Sequence, residues 1–138
     1  MNVVPYSKLL GYCGLLPFLG LPLLSFLEGL SPLLSQTLFI QYSAVILAFL
    51  GGVHWSDALS RTFSKMQMSV AMLPSLLAWL CLFNPNGRVS ILLLASGFIF
   101  MLLYDLRVFS SDKHYKRLRI ELTAVTVLMH FVMAGLLA

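Results

Sequence analysis

Five apolar runs, residues 7–27, 36–59, 67–83, 89–106 and 118–137, fill most of the chain, and short polar stretches separate them. A bilayer core of about 30 Å needs roughly 20 apolar residues as helix. The third and fourth runs sit at the short end of that range. Lipid offers the backbone no hydrogen-bond partners, so a spanning segment of this kind must satisfy itself as a helix. The expected fold is therefore all-α: one integral membrane bundle of five transmembrane helices, forming a single domain over residues 1–138. Composition points the same way. The chain is 59% hydrophobic and 10% charged, with a mean hydropathy of +0.92. Soluble domains carry about 25% charged residues, and a chain this short has too little interior to hide such a surplus from water.

The connections carry the orientation. Between the runs lie Glu28 to Ser35, Ser60 to Met66, the sequence Asn84-Pro85-Asn86-Gly87-Arg88, and Arg107 to Arg117. Asn-Pro and Asn-Gly are turn dipeptides, so the third and fourth runs should form a tight hairpin. With five spans, Lys8, Arg61, Lys65, Arg107, Lys113, Lys116, Arg117 and Arg119 share one side, and Arg88 alone occupies the other. Cations favour the cytoplasmic side, which puts the N-terminus inside and the C-terminus outside, in a bacterial inner membrane. The first run is expected to be retained rather than cleaved. Its early side-chain cation is Lys8, Pro17 and Pro22 interrupt it, and no small-residue cleavage pattern follows. Pro17, Gly20 and Pro22 in this run, and Pro74 in the third, should kink their helices.

Several function classes drop out. The cations are few and lie beside apolar runs, so a nucleic-acid partner is not expected. Zinc-finger spacing, phosphate-binding glycine loops and nucleophile elbows are missing from the sequence. Cys13 and Cys81 fall near opposite membrane faces, inside apolar runs, and read as small hydrophobes that do not pair. No metal and no cofactor is expected, and the chain reads as non-enzymatic.

Within the second run, Leu50-Gly51-Gly52-Val53-His54-Trp55-Ser56-Asp57-Ala58-Leu59 interrupts the apolar pattern. Ala44, Ala48, Gly52, Ser56 and Ser60 recur every four residues as a small-residue stripe, and Gly51 adjoins it; such a stripe lets a neighbouring helix approach closely in lipid. His54, Asp57 and Arg61 follow spacings of three and four and share a different face. The second helix should thus be packed on both sides. Trp55 reads as an interfacial anchor.

Ionisable groups inside membrane helices usually face the bundle interior or a wet cavity. Other runs bring polar groups to the level of His54 and Asp57: Tyr104, Asp105 and Arg107 at the end of the fourth, and Arg117, Arg119, Glu121 and Thr123 at the start of the fifth. Tyr6, Lys8 and Tyr12 enter on the same side. Two readings compete. In one, His54, Asp57, Tyr104, Asp105, Arg107, Arg119 and Glu121 line a cytoplasm-facing polar pocket. In the other they form a solvated cap of interfacial charges, with Asp57 paired only to Arg61 and His54 hydrogen-bonded only to a neighbouring helix's backbone or hydroxyl. His130, deep in the fifth run, reads as a packed residue, and Glu28 as a solvated boundary residue.

Three elements carry a family resemblance: Phe49-Leu50-Gly51-Gly52-Val53-His54-Trp55, then Leu73-Pro74-Ser75-Leu76-Leu77-Ala78-Trp79, then Tyr115-Lys116-Arg117-Leu118-Arg119 with Leu122-Thr123. Together they resemble the small multi-span family called domain of unknown function thirty-four twenty-nine, which has a mitochondrial member. A glycine often follows the tryptophan in that family, where this chain has Ser56. The resemblance implies a five-span membrane protein and no particular reaction.

The leading functional reading is a pocket for an anionic lipid headgroup or a quinone-like amphiphile. Arg107 and Arg119 would hold the anion by charge and forked hydrogen bonding, and His54 and Asp57 would shape or gate the pocket. A second reading is a small oligomeric channel or proton-coupled transporter built on His54, since histidine is the side chain suited to proton exchange near neutral pH. A third is an assembly or accessory subunit of a membrane complex. The expected partners are membrane lipids, with a second copy of the chain or another membrane protein meeting the helix-two stripe.

Overall fold

The computed structural model describes residues 3–61, 65–109 and 112–137. Six helices follow one another: α1 (Val3–Cys13), α2 (Leu16–Phe26), α3 (Pro32–Arg61), α4 (Lys65–Phe83), α5 (Gly87–Val108) and α6 (Lys113–Leu136). α1 and α2 together make one apolar segment, Pro5–Phe26, so five segments are long and apolar enough to cross a membrane. The bundle is all-helical, as the five runs require. One end, the basic end, gathers Lys8, Lys65, Arg107 and the start of α6.

The first segment breaks at Gly14-Leu15, just before Pro17, rather than at Gly20 or Pro22. Pro17 lies in the first turn of α2, where its missing N–H would have no intrahelical partner in any case. Pro22 lies buried inside the unbroken α2. At the break, the Tyr42 hydroxyl of α3 donates to the Gly14 carbonyl at 2.7 Å, which ties the interrupted backbone to its neighbour. α2 ends with Glu28 in the left-handed region at φ 57°, and the Gly29 N–H reaches back to the Leu24 carbonyl at 2.9 Å. That is the six-to-one closure of a Schellman cap, with a non-glycine residue at the left-handed position.

α6 starts earlier than its apolar run suggests. Asp112 caps it, its carboxylate accepting from the backbone N–H groups of His114 and Tyr115 at 2.9 and 3.2 Å. The cap satisfies donors that would otherwise be exposed at the helix start. Lys113 to Arg117 are therefore the first turns of the helix rather than loop. α4 and α5 form the expected hairpin, with Asn86 capping α5 by accepting from Val89 N–H at 3.2 Å.

α3 packs along α4, and α5 along α6. α5 also touches α3 and α4, while α2 closes the bundle against α3 and α6; α1 meets the rest chiefly through α6. The core runs through Phe18, Phe39, Leu47, Ile91, Leu94, Phe98, Met101 and Met133. α5 has the largest buried share of the five segments, which makes it the central helix.

The small-residue stripe is only partly a packing surface. Ala44 is buried and Ala48 half-buried, but Gly52, Ser56 and Ser60 are exposed. A four-residue repeat drifts about 40° per step around a helix of 3.6 residues per turn, so three steps turn it roughly 120° out of the interface. The close approach occurs at Gly51 instead. A Cβ there would stand 2.6 Å from the Ala71 carbonyl oxygen and 3.5 Å from Pro74, whereas one at Gly52 would meet nothing within 4 Å. Toward the basic end, α3 buries one broad face, carrying Leu47, Gly51, His54 and Ala58, and turns Gly52 and Ser56 outward.

Candidate functional site

At the basic end, one to two turns inside the helix ends, three ionisable side chains from three helices meet out of contact with solvent. His54 of α3 is 1% exposed, Asp105 of α5 3% and Arg119 of α6 8%. Asp105 lies between the other two. One carboxylate oxygen, Oδ1, contacts His54 Nε2, and the other, Oδ2, accepts from Arg119 Nε. With the carboxylate as its partner, His54 Nε2 donates to Asp105, and Nδ1 is the ring nitrogen that faces no partner among the described residues. A buried charge is tolerable only when paired and hydrogen-bonded, and Asp105 is held from both sides. Aromatic rings close the cluster. Tyr104 and Phe109 lie 4.8 and 5.2 Å from the His54 ring, centroid to centroid, and Tyr115 packs edge-on to Phe109 at 5.3 Å.

The cluster leaves some hydrogen-bonding capacity over. His54 Nδ1, Arg119 Nη2 and Thr123 Oγ1 are buried and have no hydrogen-bond partner among the described residues. Thr123 is one turn beyond Arg119 on α6, so the two share a face.

Of the residues expected to line a pocket, His54, Asp105 and Arg119 come together, with the Tyr104 ring against them. The other three make hydrogen bonds elsewhere or are exposed, although Asp57 lies near enough to act electrostatically on Tyr115. Asp57 accepts from Gln67 Nε2 of α4 at 3.0 Å, linking α3 to α4. Its expected ion pair involves the side chain of Arg61, which lies outside the described residues. Glu121 faces α1, accepting from the Tyr12 hydroxyl at 2.6 Å and from Arg117 Nε at 3.0 Å. Arg107 is exposed. It lies two residues beyond Asp105, about 200° around α5, so the turn that buries Asp105 points Arg107 outward. The group is thus a packed, internally paired cluster rather than a set of pocket walls. Two open clefts lie at the opposite end; one, of about 320 Å³, is lined in part by Gln36, Thr37, Gln41 and Asn84.

Sequence reasoning missed Gln67, Phe109 and the packing role of Tyr115. Gln67 carried a signal, as a single amide among methionines at the start of an apolar run. Phe109 carried none, since a phenylalanine beside a polar stretch reads as an interfacial residue.

A family model described as "Protein of unknown function (DUF3429)" matches residues 3–135. The chain belongs to the DUF3429 family. A curated relative, transmembrane protein 69 of Xenopus tropicalis, is 36% identical over 126 residues, which covers 86% of this chain and 49% of the relative. This DUF3429 chain thus spans about half the length of the curated relative it matches. No solved structure matches it. The family, the relative's name and the five apolar segments agree on a multi-span membrane protein. All three residues of the buried cluster fall within the matched span.

Proposed function

We propose that this DUF3429 protein is a non-enzymatic component of the bacterial inner membrane whose basic end engages anionic lipid headgroups. The observation that carries this is the division of labour among its cations. Arg119 is turned inward and paired to Asp105, while Lys8, Lys65, Arg107 and Lys113 are exposed at the same end. Exposed cations at the cytoplasmic leaflet are attracted by its negative surface, by about 1 kcal/mol each. The headgroup contact therefore falls to the exposed rim, chiefly Arg107 and Lys113 across the α5–α6 connection. Arg119, His54 and Asp105 hold α3, α5 and α6 in register beneath it.

Lipid competition tests the reading. The purified chain should keep phosphatidylglycerol in preference to phosphatidylcholine in native mass spectrometry. Arg107→Glu with Lys113→Glu should remove the preference without unfolding the bundle. Equal retention of both lipids by the wild type would refute the proposal.

A further inference from the structure

The unpartnered buried atoms of the described residues do not stop at the basic end. Besides His54 Nδ1, Arg119 Nη2 and Thr123 Oγ1, they include His130 Nε2, Ser43 Oγ and Ser35 Oγ. Arg119, Thr123, Thr126 and His130 are the buried polar residues of α6. At 100° per residue they fall on one strip about 60° wide, rising roughly 16 Å from Arg119 to His130. On α3, Ser43 stands eleven residues from His54, the same separation as Arg119 to His130 on the antiparallel α6. It therefore reaches a similar depth. Ser35, buried eight residues further along α3, is turned about 80° from Ser43, and its neighbour Gln36 lines the cleft at the opposite end. Buried polar atoms left over by the protein are ordinarily satisfied by internal water, each molecule bridging two to four groups.

The two histidines are set up alike. His130 Nδ1 donates to the Thr126 carbonyl at 2.7 Å, which leaves Nε2 bare. His54 gives its Nε2 to Asp105, and its Nδ1 has no partner among the described residues. Around His130, Phe18, Phe39 and Phe98 form a collar with ring centroids 4.8 to 5.6 Å away. Among the described residues, the rings against His130 are these three phenylalanines, and Tyr42 packs against Phe18 at 4.9 Å. Around His54 the ionisable neighbours among the described residues include Asp105 and Tyr104 from α5 and Arg119 from α6, with Tyr115 behind Phe109 and Asp57 of α3 close enough to Tyr115 to act on it electrostatically.

We propose that the interior of the bundle is a proton-conducting path, running from the His54–Asp105–Arg119 cluster past Thr123 to His130 and on by Ser43 and Ser35 to the opposite-end cleft. A proton arriving on a water beside a histidine forms an N–H bond at the bare nitrogen, and the water's O–H bond breaks. Release from that same nitrogen to the next water restores neutral imidazole, so the protein gains and loses nothing. The phenyl collar narrows the line to a single imidazole and bars hydrated ions. This does not depend on headgroup binding at the rim.

Reconstitution tests it. The full chain is placed in potassium-loaded vesicles of phosphatidylcholine and phosphatidylglycerol that contain a pH-sensitive dye, and valinomycin makes the interior negative. Wild type should acidify the lumen faster than protein-free vesicles, and a sodium-sensitive dye should show no matching sodium entry. His130→Phe, which extends the collar, should return acidification to the protein-free rate while the protein still melts cooperatively. Thr123→Val, a near-isosteric change, should slow acidification, and it serves alone if His130→Phe does not fold. Folded wild type that acidifies no faster than empty vesicles overturns the proposal. So does a folded His130→Phe or, in its place, Thr123→Val that conducts like wild type, and so does sodium entry at the proton rate.

Discussion

Asp105 on α5 accepts from Arg119 on α6 fourteen positions later in the chain, and the same buried carboxylate contacts His54, whose ring packs against Tyr104 and Phe109. Removing the pair should be costly because each partner was desolvated to make it. Asp105→Ala strands the Arg119 cation and leaves His54 without its acceptor. Breaking such a buried pair from one side costs about 3–5 kcal/mol. Asp105→Asn keeps an acceptor and should cost less. Thermal melting in detergent should rank wild type above Asp105→Asn and Asp105→Ala lowest. If Asp105→Ala melts with the wild type, the cluster does not hold the three helices.

The two adjacent glycines of α3 make a sharper comparison. Gly51 abuts the Ala71 carbonyl, while Gly52 faces open space. Gly51→Ala must push α3 and α4 apart, and overpacking of this kind costs about 1–3 kcal/mol. Gly52→Ala meets no neighbour and should be neutral or stabilising, by up to about 1 kcal/mol of helix propensity. Melting of the two variants side by side decides it. Equal losses would mean that the outward face of α3 is also packed.

Glu28 is exposed and sits at φ 57° in the cap that closes α2. A side chain in this region clashes with its own backbone, at a cost of roughly 1–2 kcal/mol that glycine escapes. Glu28→Gly should therefore raise the melting temperature, the gain tempered by the greater entropy that glycine loses on folding. A lowered melting temperature would show that the carboxylate does more at this boundary than its exposure suggests.

The fold was legible because lipid solvation leaves so few choices: an apolar run of the right length has helix as its available form. What stayed hidden was tertiary. Asp112 draws the basic stretch Lys113 to Arg117 into α6 by capping it, and composition alone marks that stretch as loop. In the site, the residue types were readable and their pairing was not. His54 has Asp57 three residues away on its own helix, yet its carboxylate partner is Asp105, fifty-one positions on, while Asp57 turns to Gln67. The stripe failed for a geometric reason. A four-residue spacing on a straight helix cannot stay in one interface over a dozen residues, so the contact passed from Ala44 to Gly51 and left Gly52 outside.

Orientation provides the remaining prediction. The two ends of the bundle are chemically unequal: eight side-chain cations belong to the segments meeting at one end, and Arg88 alone to the other. Most of the eight lie in short connections or within a turn or two of a helix end, where cations govern insertion. Turning Arg119 inward leaves the asymmetry at seven to one, since eight minus one remain available. A reporter active only in the cytoplasm should therefore be silent when fused after residue 138 or inserted in the 84–86 turn, and active when inserted at 62–64. A periplasmic reporter should give the reverse pattern. Cytoplasmic activity at both 138 and the 84–86 turn would invert the bundle. The headgroup contacts of Arg107 and Lys113 would then face the outer leaflet, and any proton path through His130 would run between the same two ends with its entrance and exit exchanged.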